Sequence, residues 1–407
     1  MNLYPLYIDP GTGSMLFSIL IAAAAAVYFM ARAVIIKIKV LFSGGKTAAD
    51  TNRRQCVIYA EDKRYWNLFK PIVDELEKRN FPLLYLTSSK DDPCFENTYR
   101  HIACEYIGQG NKAFARLNFL NADLVLMTTP GLDVYQIKRS KTVQHYAHIL
   151  HAPGDATMYR LFGLDYFDSV LLTGNYQMWD IRSLEKLRGL PPKQLLTVGC
   201  PYLDMAAERL PPPSPHPFTV LVSPSWGPSA LLERFGEKLL DPLLDTGFRI
   251  IVRPHPQSKI SENATLERLA ARYRSRDNIQ WDYESDNIVS LSESDIMISD
   301  FSGIIFDYVF LFDRPVIYTS HEFDMRPYDA DDLDNEPWQF TVLREIGIEL
   351  RESDFAAIGG IIQKAANSAA LSEARKKAKD TAWQRQGEAG AVIADFVIAT
   401  IAQFKAQ

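Results

Sequence analysis

Residues 294–319 read Ser-Asp-Ile-Met-Ile-Ser-Asp-Phe-Ser-Gly-Ile-Ile-Phe-Asp-Tyr-Val-Phe-Leu-Phe-Asp-Arg-Pro-Val-Ile-Tyr-Thr, and this stretch predicts a parallel α/β fold. It opens with a short apolar run at 296–298, which is typical of a buried parallel strand. Small polar residues follow, and residues 304–312 have the length and apolar character of a helix. Pro315 ends that helix before a second apolar run at 316–319. Strand, polar turn, helix and strand together form a βαβ unit.

The polar turn of this unit is a candidate phosphate site. It lies at the carboxyl end of a strand and the amino end of a helix, where open α/β sheets bind ligands. Unpaired N–H groups and the positive helix end favour an anion there, and we expect Ser302 to be the N-cap and a hydroxyl donor. Any βαβ unit needs a capped helix, however, so the pattern alone leaves a purely structural turn open.

The same stretch resembles the signature of the CDP-glycerol glycerophosphotransferase family, whose members make teichoic-acid-type polyol-phosphate polymers. The resemblance lies in Ser-Asp-Phe-Ser-Gly-Ile-Ile-Phe-Asp at 299–307, followed by Arg-Pro-Val-Ile-Tyr at 314–318. It implies that the donor nucleotide is held by the helix end together with Asp300, Ser302, Gly303 and Asp307. Family members usually carry a second serine where this chain has Gly303, which brings the backbone N–H closer to a ligand.

Length and composition indicate a globular protein with room for two domains. The chain has 407 residues, of which 47% are hydrophobic and 23% charged. A net charge of −6 argues against a nucleic-acid partner, which usually requires a basic face. The four cysteines form no Cys-x-x-Cys pair and have no histidine partners at metal spacing. We therefore expect reduced thiols, no metal site and no cofactor.

Residues 1–45 are predicted to form a membrane anchor. No charged residue lies between Asp9 and Arg32, a span of 22 residues. As a helix this span measures about 33 Å, enough for a hydrocarbon core of about 30 Å. Basic residues follow the span while only Asp9 precedes it, so the positive-inside rule predicts a single-pass protein of the cytoplasmic (inner) membrane with cytoplasmic catalytic domains. A helix lying on the membrane, or packing on the folded domain, is the alternative.

Strands and helices alternate on both sides of a proline-rich linker. Residues 210–217 contain five prolines, which exclude a helix and an interior strand. We therefore predict a Rossmann-like acceptor domain at 50–209, a Rossmann-like nucleotide-donor domain at 218–390 and a C-terminal helix at 391–407. The acidic residues 328–336 do not have the spacing of an EF-hand loop, and we expect a solvated loop there.

A histidine cluster marks the first predicted domain. Residues 143–150 alternate as a strand does, and the sequence His151-Ala-Pro-Gly154 forms the loop at its carboxyl end. A histidine at a strand end is where a general base is expected, because its pKa lies near working pH. His148 lies three residues earlier and is expected to face the opposite side of the sheet. Hydrogen-bonded core or loop histidines remain the alternative.

The resemblance adds roles to these residues. Family members carry a His-Gly-Thr/Ser-Pro-type motif here, matched in this chain by the histidine and, in a shifted register, the proline. It implies that His151 takes the proton of the acceptor hydroxyl. Asp155 is expected to orient the imidazole or to bind the acceptor.

A second candidate phosphate site follows a strand of the second predicted domain. Residues 248–252 predict a strand that runs into Arg253-Pro-His-Pro256. Two prolines fix the backbone around His255, and a guanidinium at a strand end can grip a phosphate. A rigid turn with a surface histidine is the alternative. Arg-x-His-Pro after a strand also resembles the family, and implies that His255, with Arg253, contacts the donor phosphates.

These observations predict an α/β protein of two Rossmann-like domains in a GT-B-type glycosyltransferase architecture, with an N-terminal membrane helix. The resemblance implies transfer of glycerol phosphate, or a similar polyol phosphate, from a CDP-polyol to a hydroxyl of a lipid-linked or polymeric acceptor in cell-surface polymer synthesis. Two other functions stay open. One is a sugar-nucleotide enzyme of the same architecture, such as a hexosyltransferase or a UDP-sugar 2-epimerase. The other is a non-catalytic, membrane-tethered module that binds nucleotide or polymer.

Overall fold

Two parallel β-sheets organise the part of the chain that the computed structural model describes, which is residue 27 and residues 53–284, 286–320 and 323–406. The predicted membrane anchor at 1–45 lies outside the described residues, apart from residue 27. Each sheet is flanked by helices on both faces, as a parallel sheet requires. The predicted α/β arrangement with two parallel sheets is therefore confirmed for this part of the chain.

The first sheet has seven parallel strands within the described residues, in the order β3-β2-β1-β4-β5-β6-β7. Its strands and helices alternate along the chain as follows: β1 (Arg54–Ala60), α1 (Trp66–Lys78), β2 (Leu83–Thr87), β3 (Ile102–Tyr106), α2 (Asn111–Leu117), β4 (Asn121–Met127), β5 (Thr142–Ile149), β6 (Ser169–Leu172), α3 (Gln177–Arg188), β7 (Gln194–Thr197) and α4 (Pro201–Glu208). The central strands carry apolar side chains on both faces, which explains their continuous apolar sequences.

The second sheet has six parallel strands in the described region, in the order β10-β9-β8-β11-β12-β13. Its elements are β8 (Thr219–Val222), α5 (Leu231–Leu244), β9 (Arg249–Val252), α6 (Ser258–Ser261), α7 (Asn263–Arg272), β10 (Ile279–Trp281), α8 (Ile288–Ser292), β11 (Ile296–Ser299), α9 (Ile304–Phe312), β12 (Val316–Tyr318), α10 (Trp338–Thr341), α11 (Leu343–Ile346), β13 (Gly347–Glu349), α12 (Ile358–Ala366), α13 (Ala369–Ala382) and α14 (Ala389–Ala406). The predicted helix at 304–312 is confirmed as α9.

Helix α14 returns to the first sheet. Its Ile393, Val397 and Ile401 are buried in the same core cluster as the apolar face of α1 and the strand β1. Asp204 at the start of α4 fixes this return, because its carboxylate accepts hydrogen bonds from the backbone N–H groups of Gly387, at 2.8 Å, and Ala389, at 3.2 Å. The predicted C-terminal helix is present and packs on the first sheet.

Helix α14 is also, among the described residues, the helix that is long and apolar enough to span a membrane. Its length and composition alone make it a candidate, and 44% of the 18-residue span is buried. The buried residues fill the core of the first sheet. This packing is that of a core helix, and the anchor at residues 1–45 stays a prediction.

The two sheets meet through apolar contacts and through polar links. Cys200 and Leu203 at the start of α4 lie in one core cluster with side chains of α9, α11 and α13. The linker residues 210–217 form neither helix nor strand and are mostly exposed. All four cysteines are free thiols, as predicted.

Candidate functional site

The turn between β11 and α9 is organised by Asp300. This carboxylate is almost fully buried and accepts three backbone N–H groups: Ser225 at 2.9 Å, Leu231 at 2.9 Å and Ser302 at 3.2 Å. Burial raises the pKa of Asp300 above its ordinary value. Asp300 therefore ties the loop after β8, the start of α5 and the start of α9 together. Asp300 thus shapes the predicted donor site through these hydrogen bonds, in which both of its carboxylate oxygens accept backbone N–H groups.

The amino end of α9 differs in detail from the prediction. Gly303 is the N-cap residue, and no side chain caps the helix, so the expectation that Ser302 is the N-cap is wrong. The N–H of Ser302 is itself bound by the carboxylate of Asp300 at 3.2 Å. Among the described residues, the N–H groups of Gly303 and Ile304 have no hydrogen-bond partner. They are free for an anion.

Ser302 and Gly303 line two neighbouring cavities. The larger one has a volume of about 550 Å³ and contains His255 and the loop that follows β8, including Ser225 and Trp226. The smaller one has a volume of about 220 Å³ and lies against the loop that follows β5. A Cβ added to Gly303 would meet no atom within 4 Å, so the position has room for the second serine of the family pattern.

His255 lines the larger cavity at the carboxyl end of β9. Its Nδ1 accepts a hydrogen bond from the backbone N–H of Gln257 at 3.1 Å, which places the proton of the neutral ring on Nε2. Burial lowers the pKa of His255, and the nearby positive charge of Arg64 from the first sheet adds to this effect. A neutral imidazole with a free Nε2–H is a hydrogen-bond donor suited to a phosphate oxygen.

Arg253, predicted to grip a phosphate, lies elsewhere. Its guanidinium is buried, pairs with the carboxylate of Asp282 and donates to the backbone carbonyl of Glu284 at 2.7 Å. Neither cavity is lined by Arg253. The guanidinium is held away from both cavities because the carboxylate of Asp282 compensates its buried charge, and the role of Arg253 at the donor phosphates stays a prediction.

Asp307 also lies away from the predicted donor site. It is buried on the face of α9 that packs against α4, and it accepts a hydrogen bond from the hydroxyl of Tyr202 at 2.9 Å. Burial raises the pKa of Asp307 to about 7. One and a half turns of helix separate it from Ser302, which turns it towards the interior. Its place is between the two sheets and not in either cavity.

His151 lines the smaller cavity, where it faces the start of α9. Its Nδ1 lies 3.2 Å from the hydroxyl oxygen of Thr128 and 3.3 Å from that of Tyr159, and the ring of Tyr65 packs edge-on at 5.6 Å. Burial lowers the pKa of His151 to about 4. The imidazole is therefore neutral at pH 7, with a lone pair that can accept a proton, but its pKa lies below the value near working pH that the sequence analysis expected.

Asp155 does not orient this imidazole. Its two carboxylate oxygens accept the backbone N–H groups of Trp338 at 3.0 Å and of Gln339 at 2.7 Å, at the start of α10. Burial raises the pKa of Asp155 to about 7. The expected contact with His151 is replaced by hydroxyl groups, since the carboxylate joins the loop after β5 to the second sheet. Asp155 still lines the smaller cavity.

We expected His148 and His151 to face opposite sides of the sheet, but their rings lie on the same side of it. The strand β5 ends at Ile149, the chain then turns, and both rings approach the hydroxyl of Tyr159. His148 is fully buried against Phe167 and Tyr159, whereas His151 reaches the cavity. Of these two rings, His151 is the one that lines a cavity.

The prediction of a solvated loop at 328–336 holds for the exposed residues 331–332 and 334–336 and is wrong for Asp329. Asp329 is almost fully buried and accepts the N–H of Phe162 at 2.6 Å. Its carboxylate and those of Asp165 and Asp332 surround the guanidinium of Arg188, at distances between 2.6 and 2.7 Å. The acidic composition predicted a solvated segment. Arg188 of α3, which belongs to the half of the chain with the first sheet, compensates these charges. The stretch connects the second sheet to the segment that follows His151.

Sequence reasoning missed Thr128, Tyr159 and Gln339. Thr128 follows the last residue of β4, the strand next to β5, so its place at the carboxyl edge of the sheet was a signal for a site residue. Tyr159 lies in an irregular segment and Gln339 in the four-residue helix α10, and neither segment is long enough to show a periodicity. Within the described residues, no group of three or more His, Cys, Asp or Glu side chains is arranged to hold a metal ion.

Comparison with known proteins places this geometry in context. Residues 229–337 match the family described as CDP-Glycerol:Poly(glycerophosphate) glycerophosphotransferase, and this range includes His255, Asp300 and Ser302. No curated protein sequence matches the chain significantly.

Solved structures with a similar fold include two of the wall teichoic acid polymerase TagF. A TagF variant soaked with CDPG is 16% identical, with a TM-score of 0.52 over 86% of this chain and 89% of that chain. A second TagF variant is 14% identical, with a TM-score of 0.55 over 93% of this chain and 97% of that chain.

A third similar structure is a putative UDP-N-acetylglucosamine 2-epimerase from Listeria monocytogenes. It is 12% identical, with a TM-score of 0.54 over 87% of this chain and 98% of that chain. At these identities the similarities show the fold, with neighbours of the predicted GT-B type. The family match itself covers residues 229–337, the stretch around the turn that precedes α9, and it agrees with the resemblance to the CDP-glycerol glycerophosphotransferase family that the sequence carries there.

Proposed function

We propose that this protein transfers glycerol phosphate, or a similar polyol phosphate, from a CDP-polyol to a hydroxyl group of a membrane-linked acceptor. One observation carries the proposal. Ser302 and Gly303 line both the cavity that contains His151 and the cavity that contains His255. A diphosphate at the start of α9 therefore has a neutral base on one side and a hydrogen-bond donor on the other.

The proposed reaction follows from this arrangement. Nε2 of His151 takes the proton of the acceptor hydroxyl, and the acceptor oxygen bonds to the phosphorus that carries the polyol. The bond between that phosphorus and the bridging oxygen of the diphosphate breaks, and CMP leaves. The N–H groups of Gly303 and Ile304, the hydroxyl of Ser302 and Nε2–H of His255 stabilise the negative charge on the departing diphosphate oxygens.

The proposal divides the chemistry between the two halves of the chain. Residues 50–209 contribute His151 and bind the acceptor, and residues 218–390 bind the donor. Asp300 supports the donor site through the backbone, while Arg253 and Asp307 support the fold around it. Asp155 keeps the loop that carries His151 beside α10.

Incubation of the full chain with CDP-glycerol, CDP-ribitol and UDP-sugars tests the proposed function. Release of CMP that depends on an added membrane-linked acceptor supports polyol-phosphate transfer. Turnover of UDP-sugars alone would instead show a sugar-nucleotide enzyme. Nucleotide binding without turnover of any donor would show a binding module.

Replacing His255 or Ser302 tests the donor site. We expect His255→Ala and Ser302→Ala each to weaken CDP-glycerol binding by about 10–100-fold, because a hydrogen bond to a charged group contributes roughly 1.5–3 kcal/mol. Calorimetric titration measures this change. His216→Ala, in the proline-rich linker, is the control and should bind as the wild type does. Unchanged affinity in both site variants contradicts the assignment.

We also propose that residues 1–45 hold the protein at the cytoplasmic membrane as a single-pass anchor. The uncharged span between Asp9 and Arg32, followed by basic residues, supports this proposal. Deletion of residues 1–43 should release the protein from membranes washed in high salt, as fractionation measures. A deletion variant that stays equally membrane-bound contradicts the anchor.

A further inference from the structure

The hydroxyl of Tyr159 lies between two imidazoles. Nε2 of His148 is 3.1 Å from this oxygen, and Nδ1 of His151 is 3.3 Å from it. The side chain of Thr128 also hydrogen-bonds Tyr159, and its hydroxyl oxygen lies 3.2 Å from Nδ1 of His151. One phenolic oxygen therefore contacts both the proposed base and a second histidine.

The buried histidine determines the direction of the hydrogen bonds. His148 is fully buried, and its Nδ1 has no hydrogen-bond partner. A buried N–H without an acceptor is rarer in proteins than an acceptor without a donor. The proton of neutral His148 is therefore on Nε2, from which it is donated to the oxygen of Tyr159.

We propose that Tyr159 is a positioning residue whose oxygen accepts hydrogen bonds from both imidazoles, while its O–H is donated to Thr128. A phenolic oxygen has the capacity for this arrangement. It places the proton of His151 on Nδ1 and leaves the lone pair of Nε2 for the substrate hydroxyl. The role in catalysis rests on the proposed function, whereas the position of the proton is a property of the ligand-free protein.

The second sheet holds Tyr159 in place. The backbone carbonyl of Tyr159 accepts the N–H of Asp329 at 3.0 Å, and Arg160 and Tyr328 form an antiparallel bridge beside it. The ring of Tyr159 packs edge-on against His148 at 5.2 Å. The donor half of the protein thus contributes to the orientation of the proposed base through the backbone of residues 159 and 160.

The position of the proton is measured directly by NMR. The full chain in detergent, labelled with ¹⁵N-histidine and free of ligand at pH 7, gives imidazole nitrogen shifts that distinguish the two neutral tautomers. The signals of His151 are those that disappear in His151→Gln. We expect a protonated Nδ1 in the wild type. A proton on Nε2 overturns the inference, and this measurement requires no Tyr159 variant to fold.

Tyr159→Phe keeps the ring and removes the acceptor. We expect His151 to become a mixture of tautomers and turnover to fall about tenfold, a fraction of the total effect of a general base, with unchanged KM for CDP-glycerol. Tyr146→Phe is the matched control: it removes a buried hydroxyl from β5 that accepts the N–H of Ser140 at 2.9 Å. It should leave the tautomer unchanged.

The outcomes separate this inference from the proposed function. An unchanged His151 tautomer in Tyr159→Phe overturns the role of Tyr159, whatever the turnover. A wild-type protein with a protonated Nδ1 that does not turn over any CDP-polyol supports the inference and contradicts the proposed function. Loss of turnover in Tyr146→Phe equal to that in Tyr159→Phe overturns the specific role of the hydroxyl.

Discussion

His151→Ala is expected to lower turnover by roughly 10²–10⁴-fold, the usual contribution of a general base. The reason is the position of this ring, which lies in the smaller cavity beside Ser302 and is neutral at pH 7 because burial lowers its pKa. Donor affinity should change little, since the proposed donor contacts of His255 lie in the larger cavity. Steady-state kinetics with CDP-glycerol and a membrane-linked acceptor, together with calorimetry, check both parts.

Two histidines of β5 are compared with His151, and His145 is the control. His145 bonds the hydroxyl of Ser169 at 2.7 Å and packs near Phe396, so His145→Ala should retain turnover. His148→Ala removes a fully buried ring and its hydrogen bond to Tyr159, so it should mainly lower the free energy of unfolding, with a loss of turnover no larger than that of Tyr159→Phe. Near-normal turnover in His151→Ala, with complete loss in His148→Ala, would show that the base is assigned to the wrong histidine.

Arg188→Ala is expected to lower the free energy of unfolding by about 3–5 kcal/mol, the usual effect of removing one partner of a buried ion pair. The guanidinium is 9% exposed and is surrounded by Asp165, Asp329 and Asp332. Without it, the carboxylate of Asp329, which is 2% exposed, stays buried with no cation. Chemical denaturation measures the change.

A neighbouring lysine on the same helix provides the control for Arg188. Lys186 is exposed, so Lys186→Ala should change stability by about 0.5 kcal/mol or less. An Arg188→Ala variant as stable as Lys186→Ala would show that the cluster contributes nothing. Turnover should also fall in Arg188→Ala, because Asp329 bonds the backbone of the segment that carries Tyr159.

The strands and helices were predictable where residues that end them are visible in the sequence. The buried strands appear as apolar runs that end at glycine, proline or small polar residues, and Pro315 and the αL conformation of Asp313 end α9 at the predicted residue. The short strand β13 was not predicted, because three residues carry no periodicity. It exists through pairing with β12, where Gly347 lies too close to Val316 for a side chain.

The sequence predicted where the candidate site lies better than it predicted the hydrogen-bond and ion-pair partners of the site residues. The residues that follow the predicted strands and line the two cavities are His151, His255, Ser302 and Gly303. The pattern does not reveal that Arg253 is held by Asp282, because that carboxylate lies on another strand end. Likewise, Asp155 bonds backbone groups that are 183 and 184 residues away in the sequence.

The return of α14 to the first sheet has a consequence for biosynthesis. The hydrophobic core beneath β1 and α1 includes Ile393, Val397 and Ile401. During translation, residues 54–208 therefore emerge from the ribosome long before the helix that covers one face of their sheet. We expect this face to stay exposed until the second sheet has been made, so the first half completes its folding after the second. Nascent chains that stop before residue 389 should accordingly be bound by chaperones that recognise exposed apolar surface.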